Sequence, residues 1–329
     1  EFERLAGHYG KLDDDGGILD DSKRFLYNKR LARVVAGQNS YWMNEPLRTA
    51  YTHEHSISME GGDIALRYGL TFRYKNNQGV MKKSNRQNID GVINLFYRVD
   101  KFNLSNQTTI SYTDAANNTV PFSSFSRMNP YEAKYDANGE IQKVLEENDV
   151  YNPLWDFIQK SYDENDALEL KNNFIIEYRP ITQMRVQGKF GFNTSRSSSE
   201  IFKSPYNTEF IGTESTKQGS YNRTEYRNTA YDGSVLVSFG EVSGIHTYNL
   251  IAGTQLSASH NTSEGYSAIG YTTDQFSNPN FSNSYPEGEH PSSSVDKYRS
   301  ASFYFNGNYA FDMRYLLDVN LRSDGASVF

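Results

Sequence analysis

The sequence predicts an all-β protein, folded as an antiparallel up-and-down β-barrel that crosses a membrane. Three observations support this prediction: apolar and polar residues alternate strictly in many segments, short turns alternate with long polar connections, and Tyr and Phe occur near the ends of the apolar faces. Alternation with a period of two gives each strand one apolar and one polar face. A mean hydropathy of -0.72 agrees with this, because only every second strand residue of such a barrel faces lipid.

Composition excludes several classes of function. The 329 residues contain no cysteine, so disulfides and thiolate chemistry are absent, and the net charge of -7 gives no electrostatic sign of a nucleic-acid partner. No apolar run is long enough for a membrane-spanning helix. The motif His53-Glu54-His55 lacks zinc-site spacing, and there is neither a phosphate-binding glycine loop nor a nucleophile elbow. We therefore expect no enzyme activity, no cofactor and no metal.

The alternating pattern recurs in about ten segments. The clearest examples cover 64–75, 88–98, 168–179, 184–193, 303–311 and 315–322, and weaker ones cover 54–60, 103–112, 228–239 and 246–258. Many of them are near the ~9–11 residues with which a tilted strand crosses a bilayer.

The connections between these segments are of two kinds. Short turns are predicted near 60–64, 99–103, 179–182, 240–245 and 312–313, and long polar connections at about 76–87, 113–167, 194–227 and 259–297. In an antiparallel meander this alternation places all short turns at one end and all long loops at the other. Outer-membrane barrels show this asymmetry, with short periplasmic turns and long extracellular loops. A soluble β-sandwich or barrel is the alternative.

The two faces of the predicted strands differ in chemistry. The polar faces carry charges of both signs, which suits a water-filled lumen, although the solvated face of a soluble sheet would look the same. The proposed lumen-facing residues are Arg67, Arg73, Asp90, Arg98, Glu177, Arg185, Asp318 and Arg322. The apolar faces carry Tyr74, Tyr97, Tyr112, Tyr178 and Tyr315 near strand ends. Such rings favour the membrane interface, and packing in an ordinary core is the alternative.

Three separated segments resemble one family. The segment "YAFDMRYLLDVNLRSDGASVF" (309–329) is similar to the signature of SusC/RagA-type TonB-dependent transporters, with departures at Ala326 and Val328. The matching residues are Arg314, Tyr315, Leu316, Leu317, Asp318, Arg322, Asp324, Gly325, Ser327 and Phe329. Residues 41–95 resemble the first barrel strands of that family, through Arg48, Thr49, His55, Gly61, Gly62, Gln78 and Gly79. Residues 150–158 are similar to the family's Asn-Pro stretch before a barrel strand.

The resemblance implies a fold and a function. The family's barrel has about 22 strands, so the chain is expected to be partial, with roughly the first half of the barrel in 51–329 and a connector between plug and barrel in 1–50. It implies TonB-dependent import of oligosaccharides or peptides across the bacterial outer membrane. The implied partners are a SusD-like surface lipoprotein acting as a lid, the TonB complex through a plug segment absent from this chain, and outer-membrane lipid.

Residues within the first 50 also predict a helix. Asp21 or Ser22 is a candidate N-cap, and Gly37 marks the end of the helix. Its basic face suits either a membrane-surface helix or, as the simpler alternative, the solvated side of a short packing helix.

One long polar connection contains a set of aromatic residues proposed to bind substrate. They are Phe125, Tyr131, Tyr151, Trp155 and Tyr162. Aromatic faces among Asn, Asp and Gln suit sugar or peptide binding, but the same rings could pack the loop onto itself or against the lipoprotein. Two other classes of function stay open: a soluble or surface β-rich glycan-binding or adhesin module without transport, and a carbohydrate-active β-sandwich enzyme.

Overall fold

A computed structural model describes residues 2–13, 15–146 and 150–328. Its main feature is a sheet of ten antiparallel strands in the order β1-β2-β3-β4-β7-β8-β9-β10-β11-β12. These strands are Thr52–Gly62 (β1), Leu66–Gln78 (β2), Asn85–Val99 (β3), Phe102–Asn117 (β4), Tyr162–Ile181 (β7), Met184–Lys203 (β8), Ser220–Ser243 (β9), His246–Ile269 (β10), Ser292–Phe311 (β11) and Tyr315–Val328 (β12). A small separate hairpin pairs Val144–Glu146 (β5) with Val150–Tyr151 (β6). The predicted all-β antiparallel meander is confirmed.

The sheet is open between β1 and β12 in the part of the chain that is described, so closure and the total number of strands stay predictions. Phe329, the last residue of the predicted signature, lies outside the described residues.

Short turns and long loops alternate as predicted, but the loops are shorter than expected. The connections on the loop side cover 79–84, 118–161, 204–219 and 270–291. The predicted boundaries were wrong because β7 to β10 continue for up to 24 residues. Beyond the bilayer both faces of a strand can be polar, so the apolar alternation fades while the hydrogen-bonded ladder continues.

The register aligns the apolar faces of all ten strands. Leu70 of β2, for example, lies opposite Met59 and Ile93, and Phe305 of β11 lies opposite Ala252 and Leu321. The large apolar side chains on this face are mostly exposed; Ile57 is 73% and Phe303 55% accessible. An extensive apolar surface of this kind is what a membrane-facing wall requires.

In the described ranges four α-helices accompany the sheet: Phe2–Leu5 (α1), Asp21–Val35 (α2), Phe122–Ser126 (α3) and Pro153–Ile158 (α4). The N-cap of α2 is Asp20, not Asp21 or Ser22, since its carboxylate accepts hydrogen bonds from the backbone N–H groups of Ser22 at 2.9 Å and Lys23 at 3.2 Å. Gly37, with φ of 76°, follows the helix as predicted. None of the helices in the described ranges is long and apolar enough to cross a membrane.

The buried residues of the described ranges lie mainly at the loop end of the sheet. One hydrophobic cluster is built on Trp42, Val120, Phe125, Leu145 and Leu154. A second is built on Phe202, Tyr221, Ala268 and Tyr271. The apolar face of the sheet is not covered by other elements, so the packed interior of the described ranges lies at the loop end of the sheet. This arrangement holds the long loops in defined positions.

Candidate functional site

The loop 118–161 is a compact unit with its own core. Phe125 of α3 is fully buried, and its ring meets that of Phe157 edge-to-face at 5.9 Å. The hairpin β5–β6 and helix α4 close around it, with Leu154 4% exposed. The Asn152 side chain caps α4 by accepting a 3.0 Å hydrogen bond from the Leu154 N–H. The described part of this loop is therefore an ordered, internally packed surface.

The described part of residues 2–50 joins β1 at the loop end of the sheet and packs against loop 118–161. Trp42 is 2% exposed, and its indole N–H donates a 3.1 Å hydrogen bond to the carbonyl of Asn129. Lys134 forms a 2.7 Å ion pair with Glu45. The role of these residues as a connector between plug and barrel stays a prediction. The structure shows that they contact loop 118–161.

Glu3 forms the centre of a second contact between this segment and the loop. Its carboxylate accepts hydrogen bonds from the hydroxyls of Tyr9 at 2.6 Å and Tyr131 at 2.7 Å. The Arg30 guanidinium lies 5.8 Å and 5.6 Å from the centres of these two rings. Burial raises the pKa of Glu3, but the two hydroxyls and the Arg30 charge outweigh it and lower the net pKa. Arg30 and Arg33 of α2 therefore face the loop, whereas Lys23, Arg24 and Lys29 on the same helix are exposed.

Asp156 of α4 ties this loop to the next one, 204–219. Its two carboxylate oxygens accept hydrogen bonds from the N–H of Thr208 at 2.7 Å and from its hydroxyl at 2.5 Å. The neighbouring Trp155 indole donates a 2.8 Å bond to the carbonyl of Tyr206. Burial raises the pKa of Asp156, although the Thr208 hydrogen bonds oppose the shift. The two loops thus form one continuous rim.

The predicted substrate-binding aromatics are not brought together at one place. Phe125 lies in the loop core and Tyr131 lies half-buried against Glu3. Tyr151, in β6, is 36% exposed, and Trp155 is half-buried against loop 204–219. Tyr162 starts β7, where its ring is 5.6 Å from that of Phe202 in the second cluster. A role in binding stays a prediction for all of them.

The predicted lumen-facing residues share the polar face, and many form a network near the turns. Glu177 accepts a 2.9 Å hydrogen bond from Arg179, and Arg185 lies 3.7 Å from its other oxygen. The side-chain amide of Asn103 donates a 3.4 Å hydrogen bond to Glu177, and its oxygen accepts a 2.8 Å hydrogen bond from Arg98. The charged groups on this face therefore largely satisfy one another.

The other predicted lumen-facing residues also lie on this face. Arg73 pairs with Asp90 at 2.9 Å, Asn308 donates to Asp318 at 2.6 Å, and Arg322 pairs with Asp324 at 2.8 Å. Arg67 is exposed opposite Phe96.

A hollow on the polar face near the loops was missed by the sequence reasoning. It has a volume of about 420 Å³, and Arg86, Asn117, Asn165 and Tyr226 contribute to its lining. The rest of the lining is mainly Ser, Thr and Ala, so hydroxyl and amide groups surround one aromatic ring. The hollow is lined by strand ends that are polar on both faces, so no apolar alternation marked them as strands. Only their Asn- and Ser-rich composition could have indicated a polar site. In 2–13, 15–146 and 150–328, no group of three potential ligands is placed to hold a metal ion.

Two curated proteins match the sequence over most of its length. The chain is 23% identical over 296 residues to the TonB-dependent receptor P26 of Formosa agariphila, and 22% identical over 339 aligned positions to the TonB-dependent receptor SusC of Bacteroides thetaiotaomicron. The alignments cover 88% and 92% of this chain but 30% and 32% of the relatives. The chain thus spans about a third of the length of these relatives. No family model matches it.

Solved structures of the RagAB peptide transporter share the fold. One superposes with a TM-score of 0.72 at 15% identity, covering 99% of this chain and 39% of that chain. The open-open state of the RagAB importer gives a TM-score of 0.73 at 16% identity, covering 99% and 38%.

The chain is similar to SusC/RagA-type TonB-dependent receptors over nearly its whole length. The resemblance predicted from its signature segments is confirmed, and with it the bacterial outer-membrane location. The SusC/RagA-type relatives are named as receptors and transporters, in agreement with the prediction that the chain is not an enzyme. The orientation that we propose places the apolar face of the sheet against lipid and the polar face, with its charge network and hollow, towards the interior of the barrel.

Proposed function

We propose that the chain forms part of the wall of a barrel that imports oligosaccharides or short peptides in a TonB-dependent manner, together with a SusD-like surface lipoprotein. The observation that carries this proposal is the two-faced sheet of ten strands, joined to SusC/RagA-type similarity over nearly the whole chain. The structurally similar RagAB is a peptide transporter, and this supports peptides as one of the two cargo classes.

The polar face supports a role in lining the import pathway. Asn117, Asn165 and Arg86 in the hollow offer donors and acceptors to hydroxyl or peptide groups, and Tyr226, 42% exposed, offers a ring for stacking. We propose that cargo contacts this hollow on its way past the rim. Tyr151 and Trp155, on the loop above, are the proposed outer contacts.

The proposed organisation keeps residues 51–329 as part of the barrel and residues 1–50 as a connector that docks on the rim. The packing of Trp42 and Glu3 against loop 118–161 supports a fixed position for that connector. We propose that the TonB complex acts through a plug segment to which residues 1–50 connect.

Uptake in the native bacterium tests the transport proposal. Deleting the full-length gene is expected to abolish growth on an oligosaccharide or peptide mixture that supports the parent strain, and removing TonB should have the same effect. Normal growth of the deletion strain on every cargo that depends on TonB would contradict the proposal.

A pair of tyrosine substitutions tests the pathway. Tyr226→Ala is expected to raise the apparent KM for uptake severalfold, since stacking on one ring contributes roughly 1 kcal/mol. Tyr112→Ala, on the lipid-facing side and 40% exposed, is the matched control and should leave uptake unchanged. Equal effects of the two substitutions at equal protein levels would contradict a special role for the hollow.

A further inference from the structure

A groove of about 940 Å³ runs along the lipid-facing side of the sheet between β8 and β12. Phe190, Tyr231 and Leu256 form its apolar walls, and all lie on the same face of the sheet by their register. The groove therefore offers an extended apolar recess to whatever lies beside the barrel.

Small residues create this recess. Its floor contains Gly233, Ala258, Ala301 and Gly325. A Cβ atom added to Gly233 would have no heavy atom closer than the Lys189 carbonyl at 4.0 Å, and one added to Gly325 none closer than the Ala301 carbonyl at 4.0 Å. Close packing therefore does not explain either glycine, and their small size leaves the floor open.

Two cationic side chains, those of Lys297 and Arg299, lie on the loop side of the groove. Lys297 and Arg299 line it, both are exposed, and no hydrogen bond or ion pair within the described ranges engages either of them. Nearby on this face, by contrast, Glu225 pairs with Arg196 at 2.9 Å and Arg227 at 2.6 Å. Lys297 and Arg299 are thus available to an anion from outside the chain.

The height of these cations matches the outer membrane surface. The stretch from Arg299 to Phe311, at the turn end of β11, rises about 28 Å if the strand is tilted by about 45°. The apolar band of such barrels is about 25 Å tall. Lys297 and Arg299 therefore lie at headgroup level, with the apolar groove directly below in the outer leaflet.

We propose that the groove binds a phosphorylated lipid of the outer leaflet, with an acyl chain on the floor at Gly233 and Gly325 and a phosphate against Lys297 and Arg299. An apolar recess below unpaired cations complements a lipid with an anionic headgroup, since acyl carbons gain from burial and phosphate from charge pairing. The proposal rests on the membrane orientation of the proposed transporter.

Lipid binding by the full-length transporter, purified from the outer membrane in detergent, tests this. Diphosphorylated lipid A and the same lipid A with its phosphates removed are titrated and bound lipid is counted by native mass spectrometry. Tight binding of the phosphorylated form alone is expected. The double variant K297Q/R299Q should bind it roughly 30-fold more weakly, at about 1 kcal/mol for each cation near an anionic headgroup.

Two further variants separate charge from shape. K171Q/K189Q removes the same charge from the polar face and should bind lipid A as the unaltered protein does. Gly233→Val keeps the cations but fills the floor, and should weaken binding severalfold. Unchanged affinity in either K297Q/R299Q or Gly233→Val would overturn the proposal, as would displacement of the lipid by inorganic phosphate at millimolar concentration.

Uptake by the same variants distinguishes this inference from the proposed function. If K297Q/R299Q imports cargo normally yet has lost lipid A, the lipid site is supported independently of the pathway. If it binds lipid A normally, the inference is wrong whatever the outcome of the uptake experiments.

Discussion

Arg33 of α2 donates a 2.8 Å hydrogen bond to the carboxylate of Glu132, which is 1% exposed and lies in the loop between β4 and β7. The partners are 99 residues apart in sequence. A buried carboxylate is costly without a cation, so this pair fixes the helix on the loop.

Replacing Arg33 with Ala is therefore expected to loosen α2 by about 2 kcal/mol, because the buried charge loses a partner. Hydrogen exchange of the α2 amides in the full-length protein would measure the change. Arg24→Ala is the matched control, since Arg24 pairs with an Asp21 that is 85% exposed; its effect should stay below about 0.5 kcal/mol. Equal exchange in both variants would show that the pair does not hold the helix.

Asp156 predicts an unusual pH dependence. Its raised pKa means that the carboxylate opposes folding once it is charged, so the rim loses stability as pH rises from the ordinary value towards the folded-state pKa. Asp156→Asn keeps a group able to bond both the N–H and the hydroxyl of Thr208 but removes the charge. We expect the variant to resist protease in loops 118–161 and 204–219 better than the unaltered protein at pH 7.

The same comparison at pH 3 supplies the control, because Asp156 is then protonated and the advantage of Asp156→Asn should vanish. Asp156→Ala, which loses both hydrogen bonds, should be cut faster at either pH. Lower protease resistance of the Asp156→Asn variant at pH 7 would show that the charge is not opposed by burial.

Neighbouring residues of β3 test which face meets lipid. Ile93 is 45% exposed on the apolar face, whereas Asn94 points to the polar face. Ile93→Arg is expected to cost about 2–4 kcal/mol in folding into lipid vesicles, as for cations near the bilayer midplane. Asn94→Arg should cost much less. The reverse order, measured by urea titration of the full-length protein in vesicles, would mean that the faces are assigned the wrong way round.

Phe125 and Tyr151 separate packing from binding among the loop aromatics. Phe125 is 0% and Tyr151 36% exposed. Phe125→Ala should destabilise the loop by about 3–5 kcal/mol through the cavity it leaves. Tyr151→Ala should lower protease resistance much less than Phe125→Ala, because its ring is partly exposed, and should raise the apparent KM for uptake. If Tyr151→Ala alters neither, the ring has no part in binding.

The strands were predictable because a membrane-facing sheet imposes a two-residue period that the sequence shows directly, as in Leu66 to Tyr74 of β2. The strand ends were not predictable, because β9 begins at Ser220 and runs through residues that are polar on both faces. The Asp312-Met313 turn was predicted from the break in the pattern, and both residues have positive φ.

The rim was beyond sequence reasoning for a different reason. Trp42 and Leu154 carry no periodic signal, and they join one hydrophobic cluster although their segments are more than a hundred residues apart in the chain. Arg33 and Glu132 are two charges among many, and nothing local marks them as partners. Three-dimensional proximity of single residues, unlike alternation, leaves no trace in one sequence.

Strands β9 and β10 are paired along 24 residues each, more than a bilayer crossing needs, and Gly219 and Gly270, with φ of 74° and 84°, lie at their loop ends. A twisted, fully hydrogen-bonded ribbon resists bending, whereas a glycine with positive φ tolerates a change of direction. Any change of direction between the wall and the loops above it is therefore expected at these two glycines rather than within the paired strands below.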